Sequence, residues 1–165
     1  NVIAASAIAQ EVGLGWDTII DRIKTFIPPK GRCEVKNNGK ITVIDDTYNA
    51  NLESTIAAID YLKAFSGNGQ RIFVFGDMLE LGASSIEQHK TIGEKCNDSK
   101  IDAVLTFGKE TIATDGALLI DYHRHYNHKE DLLNTLSEIA KDGDKVLVKG
   151  SRGMKMETIV EMLLR

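Results

Sequence analysis

Residues 71–82 read RIFVFGDMLELG, a run of apolar and aromatic residues that gives way to a glycine and an aspartate. Two similar runs lie at Ala103–Phe107 and Lys145–Val148. Short apolar runs of this kind are typical of strands that are buried on both faces of a sheet. Amphipathic segments with helical spacing lie between and after them, at residues 56–62, 86–96, 132–140 and 156–164. This alternation predicts an α/β fold with a mostly parallel sheet and helices on both faces.

The first 27 residues follow a different pattern. They predict two helices, and the second carries an apolar stripe made of Trp16, Ile19, Ile20, Ile23 and Ile27. Two short helices bury little of such a stripe, and the sequence begins without Met. We therefore expect these helices to be the cut end of a larger domain. Pairing of the stripe with a second copy of the chain, through residues 1–27, is the alternative expectation.

A proline pair separates the helical part from the rest of the chain. Residues 28–31 read PPKG, which prevents helix continuation and indicates a domain junction. Beyond it, Cys33–Lys36 and Ile41–Ile44 flank the residues NNGK, and Asn-Gly between two strand-like runs predicts a β-hairpin. We therefore divide the chain into residues 1–29, the tail of one domain, and residues 30–165, the α/β domain.

Composition limits the class of function. The 165 residues include 20 Lys and Arg against 24 Asp and Glu, a net charge of −4, without a dense basic run. That balance argues against binding to nucleic acid or to an anionic membrane surface. No apolar stretch approaches the ~20 residues needed to cross a bilayer, and no secretory signal is recognisable, so a cytoplasmic location is expected. Small molecules and proteins are left as partners.

Neither the cysteines nor the histidines form a recognisable reactive or metal-binding pattern. Cys33 and Cys96 match no metal or redox spacing and have no adjacent base, and no Gly-x-Ser-x-Gly elbow is present. His123, His125 and His128 lack a carboxylate or a cysteine to complete a ligand set. The sequence therefore predicts no metal site and no covalent catalysis.

Three loops that follow predicted strands are the candidates for a site, since ligands of such folds bind beyond the carboxyl ends of the strands. The first is residues 44–51, IDDTYNAN, where a strand ends in Asp45 and Asp46. Successive strand residues point in opposite directions, so these acids need not share a face. Asn51 is also suited to cap a helix that begins at Leu52. A structural and a functional interpretation of this loop are equally supported.

The other two loops are residues 76–82, GDMLELG, and residues 148–155, VKGSRGMK. In the former, Gly76 allows close approach of a ligand and Asp77 offers an acceptor, although a plain turn is the simpler interpretation. In the latter, a strand, a Gly-x-x-Gly turn and a predicted helix direct N–H groups and a helix dipole to one point. Arg152 or Lys155 adds positive charge there. This arrangement predicts a site for a carboxylate or a phosphate, without the spacing of a P-loop or a dinucleotide site.

Taken together, residues 45–51, 76–82 and 149–157, in this order and at these distances, resemble the Mur ligase family, and in particular its members that add D-alanyl-D-alanine. Residues 1–9 are similar to the Asn-x-x-Ala-Ala helix near the end of the family's central ATPase domain. Residues 30–32, Lys-Gly-Arg, resemble the start of its C-terminal domain. The resemblance implies a Rossmann-like C-terminal domain preceded by two helices from a truncated central domain.

The resemblance also implies a reaction, the ATP-dependent formation of an amide bond in peptidoglycan precursor synthesis. In the family, ATP phosphorylates the terminal carboxylate of UDP-N-acetylmuramoyl-tripeptide, and the amine of D-Ala-D-Ala attacks the acyl phosphate. ATP and Mg²⁺ would be held mostly by the central domain, so we expect this chain alone to be inactive and to carry no cofactor. The alternatives are another ligase of the superfamily, such as a folylpolyglutamate synthase, and a non-catalytic small-molecule binding module.

Site residues carry over position by position. The resemblance assigns a nucleotide-facing role to Arg32, Asp46, Tyr48 and Asn49, with Asp46 as the catalytic-site acid. It assigns contact with D-Ala-D-Ala to Asn51, Asp77, Met78, Ser151 and Arg152. One departure is Leu52, which replaces the proline that usually follows the Asn-Ala-Asn triplet. Proline at the first position of a helix presets its backbone, so the start of this helix is expected to be less rigid here.

Overall fold

A six-stranded sheet organises the chain from residue 34 onward, in the order β1-β2-β6-β3-β4-β5. The computed structural model describes residues 2–165, so the part expected of Asn1 in the first helix lies outside the described residues. Strand β1 is antiparallel to β2, and the remaining neighbours are parallel. The strands are β1 (Glu34–Asn37), β2 (Thr42–Asp46), β3 (Arg71–Gly76), β4 (Ala103–Phe107), β5 (Tyr122–Tyr126) and β6 (Lys145–Lys149). The predicted fold class is confirmed.

Helices connect the strands and precede them. They are α1 (Val2–Glu11), α2 (Trp16–Lys24), α3 (Leu52–Ala64), α4 (Ser85–Asn97), α5 (Ile112–Asp115), α6 (Lys129–Ile139) and α7 (Glu157–Leu163). Short 3₁₀ turns lie at Gly82–Ser84 and Arg152–Met154. Asn51 caps α3 as predicted: its side chain accepts a hydrogen bond from the Ser54 N–H, and the Ser54 hydroxyl accepts one from the Asn51 N–H.

The predicted hairpin between β1 and β2 forms through side chains of the turn. The Asn37 side-chain oxygen accepts the Gly39 N–H at 2.6 Å, and that of Asn38 accepts the N–H groups of Lys40 and Ile41. Gly39 has a φ of 89°, which a glycine adopts without strain. The hairpin places β1 at one edge of the sheet and leaves β2 to pair with β6 on its other side.

Apolar side chains cover both faces of the sheet because successive strand residues alternate in direction. Val43, Val74 and Val146 point to the face that α6 and α7 cover, and residues such as Leu132 and Ile159 pack there. Their neighbours point to the opposite face, where the core under α3 and α4 contains Ile44, Ile59, Phe73, Phe75, Ile92 and Leu147. The sheet is therefore buried between two helical layers.

Neighbouring strands β2 and β6 send the chain to opposite faces of the sheet. Strand β2 leads into α3, and β6 leads into α7, which packs on the other face. Where the connections after two adjacent parallel strands diverge in this way, a crevice opens beyond their carboxyl ends. The ends of β2 and β6 are thus where the fold itself provides room for a ligand.

Helices α1 and α2 pack less completely than the sheet. Of the apolar stripe on α2, Ile19 is buried, whereas Trp16 is 54% exposed and Ile20 and Ile23 are also exposed. No layer of the described residues covers Trp16. The division of the chain at residues 29 and 30 and self-association through residues 1–27 stay predictions.

Candidate functional site

A cleft of about 630 Å³ lies at the carboxyl ends of β2 and β6. Its lining includes Arg32, Asp46, Tyr48, Asn49, Asn51 and Lys149. Asp46 and Lys149 are the last residues of β2 and β6 and face each other in the sheet register. The structure therefore brings the first and third candidate loops together.

The floor of the cleft is a buried ion pair. The Lys149 ammonium, 1% exposed, donates to Asp46 Oδ2 at 2.5 Å and to the Asn49 carbonyl at 2.9 Å. The other Asp46 oxygen accepts the Cys33 N–H at 3.0 Å. A carboxylate has about four lone-pair sites, so Asp46 can still accept from a ligand. Removing one partner of a buried pair typically costs about 3–5 kcal/mol, so this floor is a rigid part of the site.

Lys149 is the site residue that the sequence analysis did not single out. It ends an apolar run, Lys145–Val148, and on its own looks like the polar end of a strand. Its position in the sequence could have indicated its role. A lysine inside a run that is buried on both faces requires a partner, and an acid at the end of a neighbouring strand supplies one.

Asp45 points away from the cleft, as the alternation of strand residues predicts. Its carboxylate pairs with Lys36 of β1 at 2.6 Å and accepts the Thr47 hydroxyl at 2.7 Å. With these contacts Asp45 fixes the hairpin to the start of the loop. The two adjacent acids therefore do not form an acid–base pair.

Positive charge and an aromatic ring meet at the mouth of the cleft. The guanidinium carbon of Arg32 lies 4.1 Å from the centroid of the Tyr48 ring, and that of Arg152 lies 5.3 Å from it. Within residues 2–165, no carboxylate lies within ion-pairing distance of either arginine. Two guanidinium groups without a protein counter-ion beside an exposed ring form a place where an anion can bind.

The backbone holds this arrangement from below. Tyr48 donates its N–H to the Gly31 carbonyl at 2.9 Å, and Gly31 has a φ of 71°. Cys33 also lies in the left-handed region, with a φ of 51°. A non-glycine residue in that region is uncommon and is kept there by its surroundings, here the bond from its N–H to Asp46.

The second candidate loop lies away from the cleft. Asp77 is buried, and its carboxylate accepts the N–H groups of Lys109, Glu110 and Thr111 at 2.9–3.0 Å. Met78 is also buried and donates its N–H to His89 Nε2 at 3.0 Å. Neither residue lines the cleft, so the structure does not bring Asp77 and Met78 together with Arg32, Asp46 and the other predicted residues that do.

The third loop is joined to the second. The buried Ser151 accepts the Leu79 N–H at 2.8 Å through its hydroxyl and donates its own N–H to the Asp77 carbonyl at 3.0 Å. Ser151 thus fixes the base of the turn that presents Arg152. The hydroxyl itself is occupied by the neighbouring loop.

The predicted order of strand, Gly-x-x-Gly turn and helix is confirmed, but the helix does not begin at the turn itself. Residues Arg152–Met154 form a 3₁₀ turn, Lys155 adopts a left-handed φ of 50°, and α7 begins only at Glu157. The Lys129 ammonium stabilises this geometry by donating to the carbonyls of Met154 and Lys155 at 2.8 and 2.9 Å. What the loop offers an anion is therefore side-chain charge and not the dipole of an α-helix.

Cys33 lines the cleft but is chemically quiet. Burial, followed by the nearby Asp46 carboxylate, raises the pKa of its thiol from 9.0 to about 11, and Lys149 opposes this only in part. The thiolate is the nucleophilic form of cysteine, so the Cys33 thiol is a weak nucleophile at neutral pH.

The cleft opens into a larger apolar cavity. This cavity, of about 1130 Å³, lies between α1 and α2 on one side and Tyr48 and Tyr61 on the other. Arg32, Cys33, Tyr48 and Tyr61 border both spaces. A ligand with a flat apolar part and an anionic part would therefore find both requirements within one continuous surface.

Other candidate chemistry is limited. Within residues 2–165 no three His, Cys, Asp or Glu side chains are grouped so as to hold a metal ion. His123 instead contacts Asp115 at 2.9 Å, and His125 contacts Thr106 at 3.0 Å. None of the helices in the same residues has the length and apolar character needed to cross a membrane.

The sheet is mostly parallel, and its crevice lies where the connections after β2 and β6 diverge. Two arginines without a carboxylate partner among residues 2–165 and a tyrosine ring border this crevice. These features define an α/β domain of the kind that binds anionic small molecules. Residues 31–152 match the family model described as Mur ligase, glutamate ligase domain. The chain belongs to the Mur ligase family.

Individual relatives agree with the family. The chain is 41% identical to the UDP-N-acetylmuramoyl-tripeptide–D-alanyl-D-alanine ligase of Bacillus subtilis, over 99% of this chain and 37% of the relative. It is 34% identical to the Escherichia coli ligase of the same name, over 99% and 36%. A solved structure of MurF from Acinetobacter baumannii matches 99% of this chain and 36% of its own, with a TM-score of 0.85 and 28% identity.

A second solved structure, MurF ligase from Thermotoga maritima in complex with ADP, matches 96% of this chain and 35% of its own. The TM-score is 0.80 and the identity 29%. The chain thus spans little more than a third of the length of the relatives it matches.

Proposed function

We propose that this chain forms the C-terminal part of an ATP-dependent ligase that adds D-Ala-D-Ala to UDP-N-acetylmuramoyl-tripeptide in the cytoplasmic synthesis of peptidoglycan precursors. Two relatives that carry this name match nearly the whole chain and support the proposal. In the proposed reaction, ATP phosphorylates the terminal carboxylate of the tripeptide. The amine of D-Ala-D-Ala then attacks the acyl phosphate, forming the amide bond and releasing phosphate.

One observation carries the proposal: Arg32 and Arg152 stand unpaired on a shared tyrosine ring above the Asp46–Lys149 pair. This arrangement suits a nucleotide, because its phosphates need positive charge and its base needs a flat apolar surface. In the proposal, Arg32 faces the phosphates, and Tyr48 and Asn49 border the nucleotide. Asp46 accepts from a hydroxyl or amine group through its free lone pairs. The apolar cavity beside Tyr48 receives the base.

D-Ala-D-Ala is assigned to the other side of Tyr48. Its carboxylate would pair with Arg152, and Asn51 lines the same cleft. Ser151, Asp77 and Met78 take an indirect part in this proposal. Ser151 is bonded to the loop that contains Asp77 and Met78, and Asp77 orders residues 109–111, so this loop supports the turn that carries Arg152 through Ser151.

The chemical contribution of these residues is to orient the reactants and to exclude water. Fixing two reactants against each other removes much of the entropic part of the barrier, and a dry site protects an acyl phosphate from hydrolysis. Mg²⁺ would screen the phosphate charges of ATP. The described residues do not fit a site for it, since the Asp46 carboxylate is engaged by Lys149 and the Cys33 N–H. We therefore assign Mg²⁺ no ligand here.

Calorimetric titration of the full-length ligase, which would also contain the central domain, with ADP and with D-Ala-D-Ala tests the proposal. We expect Arg32→Ala to weaken ADP binding at least tenfold and to leave dipeptide binding within about twofold, because Arg32 is assigned to phosphate alone. The matched control is Arg124→Ala, which removes an exposed arginine that also lies over a tyrosine ring, 5.6 Å from the centroid of Tyr122.

The outcomes separate the alternatives. Binding of neither ligand by the unaltered full-length protein would contradict the proposal. Binding of ADP without any response to D-Ala-D-Ala would favour another ligase of the superfamily, such as a folylpolyglutamate synthase, or a binding module without chemistry. An equal effect of Arg32→Ala and Arg124→Ala would remove the cleft from consideration as the nucleotide site.

A further inference from the structure

Lys149 is the buried charge of the cleft that the proposed contacts with ligands do not use. We propose that it is a positioning residue: its ammonium holds two backbone segments so that Arg32 and Tyr48 are in place before an anion arrives. The inference rests on the proposed function only in naming that anion as the phosphate of a nucleotide. The placement of Arg32 and Tyr48 by Lys149 is a property of the free protein.

The first line of contact leads from Lys149 to Arg32. Lys149 Nζ lies 2.5 Å from Asp46 Oδ2, and Asp46 Oδ1 accepts the N–H of Cys33 at 3.0 Å. Cys33 has a φ of 51°, a conformation that a cysteine does not adopt without support. The Asp46 carboxylate provides that support. By holding Cys33, it fixes the direction in which the side chain of Arg32, the residue before Cys33, leaves the backbone.

The second line leads from Lys149 to Tyr48. The same ammonium donates to the Asn49 carbonyl at 2.9 Å, directly after Tyr48. The backbone N–H of Tyr48 itself donates to the carbonyl of Gly31, the residue directly before Arg32, at 2.9 Å. Together, these four hydrogen bonds connect the backbone next to Arg32 with the backbone next to Tyr48 in a closed circuit. Within this circuit, Lys149 is the one side chain that bonds both to the Asp46 carboxylate and to the Asn49 carbonyl.

A buried lysine is required for this task because it combines length, charge and several donors. Methionine has nearly the same length but donates no hydrogen bond, so the Asp46 carboxylate would lose its counter-ion and the Asn49 carbonyl its donor. An unpaired buried carboxylate turns toward water where it can. In doing so it would release the Cys33 N–H, and Arg32 would no longer be held 4.1 Å from the centre of the Tyr48 ring.

The same strand offers a matched control. Lys145 begins β6 and is 7% exposed. Its ammonium donates a hydrogen bond to the Asn68 carbonyl, at the end of the strand opposite to Lys149. Lys145→Met and Lys149→Met therefore remove the same group from two ends of one buried strand. A third variant, Asp46→Asn with Lys149→Met, contains no buried unpaired charge and keeps the test available if Lys149→Met does not fold.

The experiment measures the side-chain NMR signals of Arg32 in the free chain, together with the dissociation constant for ADP. An arginine over an aromatic ring shows ring-current-shifted signals. We expect the shift to be lost in Lys149→Met and kept in Lys145→Met. In the double variant we expect it to be reduced, because the amide at position 46 can still accept the Cys33 N–H but the Asn49 carbonyl has lost its donor. We also expect ADP binding to weaken at least tenfold in Lys149→Met and less than twofold in Lys145→Met.

Retention of the Arg32 shift in the folded Lys149 variants would overturn the inference, as would equal losses of ADP binding in the two single variants. Failure of the unaltered full-length protein to bind ADP would contradict the proposed function instead. In that case the ring-current comparison still decides whether Lys149 positions Arg32.

Discussion

The loops after β2 and β3 look alike in sequence, since each follows a buried strand and each presents an aspartate at the strand end. The structure uses them in different ways. Asp46 pairs with a lysine at the floor of an open cleft, and the next aromatic residue, Tyr48, stands 41% exposed beside two arginines. Asp77 accepts three backbone N–H groups and is closed off from solvent.

The difference lies in what the neighbouring elements supply. Next to Asp77, the chain after β4 turns its N–H groups inward, so the carboxylate is satisfied by backbone and serves the fold. Next to Asp46, the connections after β2 and β6 diverge, so one lysine satisfies part of the carboxylate and the remaining space is open. An acid at a strand end thus becomes part of a site only where the topology leaves a crevice beside it.

Of the substitutions that test this comparison, Asp77→Ala is expected to have the largest effect on the free energy of unfolding. Removing the carboxylate leaves three N–H groups without their acceptor, and each orphaned group costs ~1–3 kcal/mol when buried. Because only part of this segment is shielded from water, we expect the free energy of unfolding to fall by about 2–4 kcal/mol in urea denaturation. Glu80→Ala, at an exposed position of the same loop, is the control and should change it by less than ~0.5 kcal/mol. Equal stabilities of the two variants would refute the structural role of Asp77.

The acid of the other loop can be tested through Cys33. With its pKa raised to about 11 from 9.0, the thiol carries less thiolate at mildly alkaline pH than an ordinary cysteine. Each pKa unit lowers the thiolate fraction about tenfold, so alkylation should be about a hundredfold slower and should accelerate as pH rises toward that pKa. Asp46→Asn removes a carboxylate that raises the pKa and should therefore speed the reaction.

This measurement is made by mass spectrometry in a Cys96→Ala background, because burial raises the pKa of Cys96 to about 12 and its slow reaction would complicate the analysis. Rapid alkylation of Cys33 at neutral pH, or a rate that Asp46→Asn leaves unchanged, would show that Asp46 does not control its surroundings.

Arg152→Ala sharpens the comparison at the mouth of the cleft. If Arg152 pairs with the carboxylate of D-Ala-D-Ala, removal of a desolvated partner costs ~2–5 kcal/mol, which weakens dipeptide binding by tens-fold or more. Binding of ADP should change little, since Arg32 is assigned to the phosphates. Titration of each ligand separately distinguishes the two arginines, and a variant that loses ADP and retains the dipeptide would reverse the assignment.

The smallest effect is expected at Asn51, which has a structural and a proposed binding role. Asn51→Ala removes the helix cap of α3 and should lower the free energy of unfolding by about 1 kcal/mol. Asn51→Asp keeps a capping oxygen and should leave stability nearly unchanged while introducing a negative charge into the cleft. Weaker dipeptide binding by Asn51→Asp at unchanged stability would separate the two roles, and unaltered binding would leave Asn51 only as a cap.

The sequence was sufficient to predict every strand except β5, the hairpin and the capped start of α3, because each depends on neighbouring residues. Apolar runs of five residues specify buried strands, and the Asn-Gly turn specifies its own hydrogen bonds. The relation between the loops was not accessible in the same way. The N–H groups that bond to Asp77 belong to residues that lie 32 to 34 positions further along the chain. Lys149 pairs with an acid that lies 103 positions before it. No local pattern specifies such partners.

The turn at Arg152–Met154 shows a second reason for error. Gly-x-x-Gly after a strand is compatible with a helix start, and the residues alone do not exclude it. The ammonium of Lys129, which begins α6, bonds to the carbonyls of Met154 and Lys155 and favours the 3₁₀ geometry instead. Tertiary contacts thus override a local preference.

The position of β6 between β2 and β3 has a consequence for the order of folding. Strand β6 leaves the ribosome after the other five strands of the sheet, yet it lies in the middle of that sheet, and until it is inserted β2 has no parallel partner and β3 is open along one side. Contacts across so many residues are slow to form, because the intervening chain must first be brought to order. The cleft between β2 and β6 therefore appears only in the final stage of assembly, and a chain interrupted before residue 145 lacks the wall of the site that Lys149 and Arg152 provide.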